Sequence, residues 1–288
     1  MKQQQFRRRR AGAALIFVAI LVLLVGALAS GGANHPAKSP LQARAAKARP
    51  VPAHTHPSIE EQQEDAIDSV LAYTPAVVQG GPKGNEVALT FDDGPGPYTQ
   101  QLVHTLNALH AQATFFAIGE EERYFSPGTL LELRSGDVVG DHTETHPMLA
   151  ELSAHDQHEE LQEQIYRIQL LGGSTPRLFR PPYGSFNATT FRELKRLRLL
   201  MILWSTDTGD YTLPGVQTIV QRALAGAHPG AIILMHDAGG NREETIAALP
   251  AIVRGLRARG LRPVTVPQLL LDDPPPPGQP IPTNLSGG

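Results

Sequence analysis

Seven short apolar runs, rich in β-branched and aromatic residues and separated by longer stretches with apolar residues at helical spacing, constrain this chain more than any other feature. The runs are Glu86–Phe91, Ala113–Ile118, Asp137–Gly140, Leu178–Arg180, Leu200–Trp204, Ala231–Met235 and Arg262–Val266. Tyr98–His110, His155–Leu171, Ala188–Arg196, Thr218–Ala227 and Arg242–Arg259 read as helices between them. Parallel strands need a crossover, usually a helix, so this alternation predicts an α/β fold on a parallel sheet, open or barrel-like. At 288 residues and 41% hydrophobic content, the chain can fill the core of one large domain. It carries no repeat of solenoid length.

The N-terminus points to export. Arg7 to Arg10 precede an uncharged apolar run from Ala11 to Ala29, long enough at about 1.5 Å per residue to cross a hydrocarbon core of about 30 Å. Residues 1–10 are expected as a basic cytoplasmic segment and 11–29 as a transmembrane signal anchor, placing the rest outside a cell membrane that the chain spans once. Ala27-Leu28-Ala29 before Ser30 also has the form of a signal-peptidase site, and cleavage there would give a secreted protein; the length of the run favours the anchor. Residues 30–57 have a flexible-linker composition. Ser58–Leu71, within a 58–83 lead-in, has a capping residue and Glu61 three positions on, the mark of a capped amphipathic helix that packs on the domain or extends a stalk. Residues 84–271 form the domain, and the Pro/Gly-rich segment 272–288 is expected as a disordered tail.

The absence of cysteine excludes disulfides and attachment through a lipidated cysteine. Net charge is −3, and −8 once Lys2 and Arg7 to Arg10 are set aside. Such a balance offers nucleic acid no electrostatic footprint.

The polar residues gather at one kind of position. Asp92 and Asp93 end the first run, His142 and His146 follow the third, Arg180 ends the fourth, Asp207 and Asp210 follow the fifth, and His236 ends the sixth. Parallel α/β folds build their sites at strand C-terminal ends, so these residues are expected to share one site. Two histidines four apart lie on one face where the segment is helical, and with a carboxylate they give a donor set suited to zinc or another first-row metal. Asp92 and Asp93 can point apart, one toward metal and the other toward protons. Arg180-Pro181-Pro182-Tyr183-Gly184 is stiff, and its arginine can brace a carboxylate through a fork of donors. Taken singly, each segment also has an ordinary reading: a turn at Asp92-Asp93-Gly94-Pro95, a surface ion pair at Arg180, a polar loop over Trp204–Tyr211, a core histidine at His236. With Asp210 on one ring nitrogen, His236 instead serves as a general acid.

In order, Thr90–Pro95, His142–His146, Arg180–Gly184, Trp204–Tyr211 and Leu234–His236 resemble the five motifs of the polysaccharide deacetylases, carbohydrate esterase family four, over Gly84 to Leu271. The resemblance implies a distorted (β/α)7 barrel of seven mostly parallel strands. It implies Asp93, His142 and His146 as metal ligands and Asp92 as general base. Arg180 would brace that base, the Tyr183 backbone N–H would stabilise the oxyanion, and His236 would be the acid, tuned by Asp210. The metal would be divalent, zinc foremost, with cobalt or nickel as alternatives. The implied reaction is hydrolysis of N-acetyl groups on an extracellular N-acetylglucosamine-containing glycan, peptidoglycan or chitin-like. An O-acetyl esterase acting on xylan or another polysaccharide is the competing activity, and a non-catalytic, membrane-tethered glycan-binding protein is the third reading. The family usually has Trp after its last aspartate; Tyr211 stands there in this chain, which alters one wall of the groove.

Overall fold

The computed structural model describes residues 57–282. The expected anchor at 11–29 and its basic flank, with nearly all of the 30–57 linker, lie outside the described residues. Among the described residues, no helix is long and apolar enough to cross a membrane.

All seven expected strands are present: β2 (Glu86–Asp92), β3 (Thr114–Ala117), β4 (Val138–Asp141), β5 (Leu178–Phe179), β6 (Leu200–Ile202), β8 (Ile232–His236) and β9 (Arg262–Val264). Two-residue strands β1 (Ala76–Val77) and β7 (Thr206–Asp207) join them. The sheet runs β1-β6-β5-β4-β3-β2-β8-β7 with β9 also on β2, and every pairing is parallel. The single run Leu200–Asp207 begins as β6, bonded to β5 and β1, and ends as β7, bonded to β8. It therefore touches both ends of the strand order and curls the sheet toward a barrel. β1 wedges into the seam through Leu203 N–H to Val77 O at 2.8 Å, and the lead-out from β1 holds the neighbouring loop through Gly80 N–H to Gly230 O at 2.8 Å. A closure resting on two such short strands is the local reason for the barrel's distortion.

The helices are α1 (Ile59–Leu71), α2 (Thr99–Ala108), α3 (Gly119–Arg134), α4 (Ala154–Leu170), α5 (Ala188–Leu197), α6 (Val216–Gly226), α7 (Glu243–Ala258) and α8 (Val266–Asp272). Side chains alternate between two cores, as a period of two requires. On β8, Ile232 and Leu234 join the inner cluster, with Phe116, Leu178 and Met201, whereas Ile233 and Met235 join the outer one beneath the helices. On β2, Ala88 faces inward, and Val87, Leu89 and Phe91 face outward. Continuing that count turns Asp92 and His236 inward, and the two are register partners. The strand pattern that fills the core thus delivers a carboxylate and an imidazole to the same end of the barrel.

The structure decides two points that the sequence leaves open, the place of Ser58–Leu71 and the conformation between His142 and His146, and corrects one expectation, the tail. Ser58–Leu71 is a helix with the full capping box, Ser58 Oγ accepting from Glu61 N–H at 3.1 Å and Glu61 Oε2 from Ser58 N–H at 2.7 Å. It buries Ile67 and Val70 in the inner core, so it belongs to the domain and is not a stalk. The tail expected to lose order from Asp272 is fastened as far as Ile281, which packs against the inner core. Asp273 accepts from Gly84 N–H at 2.8 Å, Tyr73 donates to Pro275 O at 2.6 Å, and Gln279 Oε1 accepts from Val78 N–H at 2.7 Å. The segment between His142 and His146 is not helical: Thr143 and His146 take φ values of 71° and 57°.

Buried carboxyls around α3 make stability depend on pH. Burial raises Glu122 from 4.5 to about 8 against a hydrogen bond from Thr129, and raises Asp137 from 3.8 to about 7 against one from the Ala113 N–H. Burial, with the charges of Asp237, Asp137 and Glu122, also raises Glu132 well above its ordinary value. A carboxyl with a raised folded pKa keeps its proton to higher pH in the folded state. The folded protein then binds more protons than the unfolded chain, and stability falls as pH rises from the unfolded to the folded value. The acids held below their ordinary values, Asp68, Asp93 and Asp210, act only below that window. The metal-free protein should melt at a higher temperature near about pH 5.5 than near about pH 8.5. A melting temperature that climbs across that interval would contradict the burial of these groups.

Candidate active site

Neighbouring residues on a strand point to opposite faces, so Asp92 and Asp93 could not meet at one site if β2 ran straight on. Asp93 leaves the strand with φ 74°, and this left-handed step turns its carboxylate back toward that of Asp92. His142 Nε2 then lies 3.8 Å from Asp92 Oδ2 and 3.6 Å from Asp93 Oδ1, and His146 Nε2 lies 3.2 Å from the same Asp93 oxygen. Gly239 makes room: at its φ of 73°, a Cβ would stand 2.4 Å from Asp93 Oδ2.

His142 directly follows β4, where its ring Nδ1 is 2.7 Å from the carbonyl oxygen of Arg180. A carbonyl only accepts, so Nδ1 carries a proton there, and Nε2 is the nitrogen turned to Asp93 and able to offer its lone pair to a cation. His146 arrives by a loop held from several sides. Asp141 Oδ1 accepts from Thr143 N–H at 2.7 Å, and Glu160 accepts from both Thr145 N–H and Thr145 Oγ1 at 2.8 Å. Buried Glu144 is paired with Arg123 and, at 2.9 Å, with Arg167. Asp141, Glu144 and Glu160 were not singled out from sequence. Their partners lie up to 23 residues away, and an acid in a polar loop or on a helix carries no mark of such a partner.

Arg180 is fully buried and spreads its donors: Nη1 to Asp92 Oδ1 at 2.7 Å and Thr90 Oγ1 at 2.9 Å, Nε to Ile202 O at 3.1 Å, Nη2 to Leu203 O at 3.2 Å. The brace is therefore one N–H on the carboxylate, not a bidentate fork, and the other donors tie it to the β6 end. Its guanidinium also lies over the Phe116 ring at 4.2 Å. Asp92 Oδ2 is left free of the arginine and faces the cluster.

Across the barrel, His236 Nδ1 sits 2.8 Å from Asp210 Oδ1. Asp210 Oδ2 accepts from His236 N–H at 2.9 Å and from Thr245 Oγ1 at 2.7 Å. Burial acts to lower His236, but the hydrogen bond and charge of Asp210, with the charges of Asp93 and Asp92, raise it to about 9. Burial also opposes ionisation of Asp210 and Asp93, yet the imidazole partners win and hold both carboxyls below their ordinary range. Tyr211 packs edge-on against His236, ring centroids 5.3 Å apart, so it forms one wall beside that imidazole. Asp207 is raised, first by burial, and joins none of these contacts to Asp92, Asp93 or His236. Tyr183 has φ 58° and ψ 13°. Its neighbours Gly184 and Ser185 give their N–H groups to Pro181 and Pro182 carbonyls, and the half-exposed Tyr183 stays outside that pairing at the rim. Asp237, also missed from sequence, is fully buried, accepts from the Thr99 hydroxyl at Oδ2 and donates its own N–H to Asp92 O at 3.1 Å.

Asp93, His142 and His146 offer one carboxylate oxygen and two ring nitrogens, all within 4.8 Å of one another. Ligands about 2.0–2.2 Å from a tetrahedral ion stand roughly 3.3–3.6 Å apart. The 3.2 and 3.6 Å separations about Asp93 Oδ1 suit that spacing, so the three groups fit a divalent cation with a position open to water.

Known proteins resemble this chain in sequence and in fold. A family profile described as polysaccharide deacetylase matches residues 79–202, a span that contains Asp92, Asp93, His142, His146, Arg180 and Tyr183. A peptidoglycan-N-acetylglucosamine deacetylase of Bacillus cereus is 37% identical over 190 residues, covering 64% of this chain and 87% of the relative. The crystal structure of the Bc1960 peptidoglycan N-acetylglucosamine deacetylase superimposes with a TM-score of 0.67 at 30% identity, covering 71% of this chain and 96% of that one. BA3943, a CE4 family pseudoenzyme from Bacillus anthracis, matches with a TM-score of 0.65 at 28% identity, over 68% of this chain and 69% of its own. Ordered motifs, a curled parallel sheet and relatives matched along most of their length lead to one conclusion: the chain belongs to the polysaccharide deacetylase family, carbohydrate esterase family 4.

Proposed function

We propose that this protein is a zinc-dependent hydrolase that removes N-acetyl groups from N-acetylglucosamine units of an extracellular glycan, with peptidoglycan as the substrate class. The observation that carries the reading is the simultaneous presence, at one end of the barrel, of a three-donor cation site, a second carboxylate outside that donor set, and an imidazole held on the carboxylate of Asp210. A pseudoenzyme reading requires a missing ligand or base; the presence of Asp92, Asp93, His142 and His146 in the motifs supports an active enzyme instead. The likeness to the peptidoglycan-N-acetylglucosamine deacetylase of Bacillus cereus supports the N-acetyl substrate. Residues 11–29 are proposed to anchor the domain at the outer face of the membrane, next to such a polymer.

Asp93, His142 and His146 would hold a divalent cation, which when bound would supply Lewis acidity toward a water and the acetyl carbonyl. Asp92 takes the water's proton at Oδ2, the oxygen that Arg180 leaves free, while Arg180 fixes Oδ1. The Tyr183 N–H donates to the oxygen on which negative charge develops, a contact worth about 3–4 kcal/mol for one such donor in acyl transfer. His236, with Nδ1 fixed on Asp210, presents Nε2–H to the departing nitrogen. The C–N bond breaks as that nitrogen takes the proton, because an amide anion is too poor a leaving group otherwise.

Acetate release from N-acetylglucosamine oligomers and from acetylated xylan, measured side by side with the purified protein, tests the reading. Release with a matching rise in free amines on the oligomers is expected. Release from xylan alone would replace the N-deacetylase with an O-acetyl esterase, and release from neither would favour a binding protein.

A further inference from the structure

Both imidazoles of the donor set are held from behind by one segment, Arg180 to Tyr183, and they are held by different chemistry. His142 Nδ1 faces the Arg180 carbonyl at 2.7 Å, a partner that fixes one tautomer. His146 Nδ1 faces the phenolic oxygen of Tyr183 at 3.0 Å, with ring centroids 4.5 Å apart and the rings tilted by 65°. A phenol can accept or donate. The difference matters because the other nitrogen, His146 Nε2, has two possible partners. Without a cation, Nε2 carries a proton to Asp93 Oδ1, 3.2 Å away, and Nδ1 then needs a donor. With a cation, Nε2 must offer its lone pair, and Nδ1–H needs an acceptor. A rotating hydroxyl serves both states, whereas a carbonyl serves only the second.

The backbone shows that this contact is built. Tyr183 holds a left-handed φ of 58° between the Pro181-Pro182 pair and Gly184, a conformation uncommon for a bulky residue. That conformation lays the phenol across His146 although the residue as a whole is 42% exposed.

We propose that Tyr183 acts through its hydroxyl as a positioning residue for the cation site, orienting His146 and relaying its change of tautomer as the ion enters. This role is separate from that of the Tyr183 backbone N–H and rests on the ligand role of His146 proposed above. Outer partners of metal-bound histidines usually change affinity by about 10–100-fold when removed.

Tyr183→Phe keeps the ring, the backbone and the amide while deleting only the hydroxyl. The test is zinc affinity of the full-length protein, by competition with a chromophoric chelator, together with solvent exchange of the His146 Nδ1–H in zinc-loaded protein by ¹⁵N NMR, assigned with His146→Gln. Zinc affinity lower by about 10–100-fold is expected, with the metal-free melting temperature unchanged. The Nδ1–H signal, slowly exchanging in the wild type, should be broadened by exchange in the variant. Equal affinity and equal exchange in both proteins would overturn the role of Tyr183 alone. Zinc bound by neither protein would overturn the metal site and this role with it.

Discussion

Asp92→Asn should retain zinc and lose about 10²- to 10⁴-fold in kcat, the usual contribution of a positioned general base. The substitution is isosteric, and Asn Oδ1 can still accept from Arg180 Nη1, which lies 2.7 Å away in the wild type. Asp92 is outside the donor set of Asp93, His142 and His146, so the cation has no direct reason to leave. What is lost is the proton acceptor. The variant also leaves the fully buried guanidinium of Arg180 without its counter-charge; breaking a buried pair in this way typically costs about 3–5 kcal/mol. Melting temperature, zinc content and acetate release should therefore separate: stability falls, occupancy holds, turnover collapses. Turnover at the wild-type level would remove Asp92 from the base role.

His142→Ala should instead lose the zinc and the activity together. It deletes one of only two nitrogen donors, leaves the Arg180 carbonyl without its 2.7 Å partner, and reduces the site to Asp93 and His146. Loss of a group bonded to the far side of a ligand histidine already changes affinity by about 10–100-fold, so loss of a ligand should exceed that range. Elemental analysis after gel filtration reads the result directly. Full zinc occupancy in this variant would end the ligand assignment.

The parts legible in the sequence were those with a local physical signature. The run Val87-Ala88-Leu89-Thr90-Phe91 has to be a buried strand because water tolerates it nowhere else, and its end fixes where Asp92 emerges. β1 and β7 were invisible for the opposite reason: two residues give no period, and only the seam they fill explains them. α3 was passed over because Pro127 and the non-helical Phe125 interrupt its pattern. α8 was partly absorbed into the run Arg262–Val266, since the apolar residues continue from strand into helix.

The same division runs through the site. The spacing of His142 and His146 suggested two donors, and it left open whether a helix carries them; left-handed Thr143 and His146, with Glu160 on Thr145, bend a loop there instead. The single-point brace of Arg180, the Tyr183 hydroxyl on His146, and Glu144 beneath the loop depend on contacts between segments far apart in the chain. No local spacing encodes such distances.

The measurement closest to the centre of this proposal is acetate release from N-acetylglucosamine oligomers by protein stripped of metal with a chelator and then titrated with zinc. Release should disappear on stripping and return in full at about one zinc per chain, as expected for a single three-ligand site. Undiminished release from protein that elemental analysis shows to be free of metal would contradict a catalytic role for Asp93, His142 and His146.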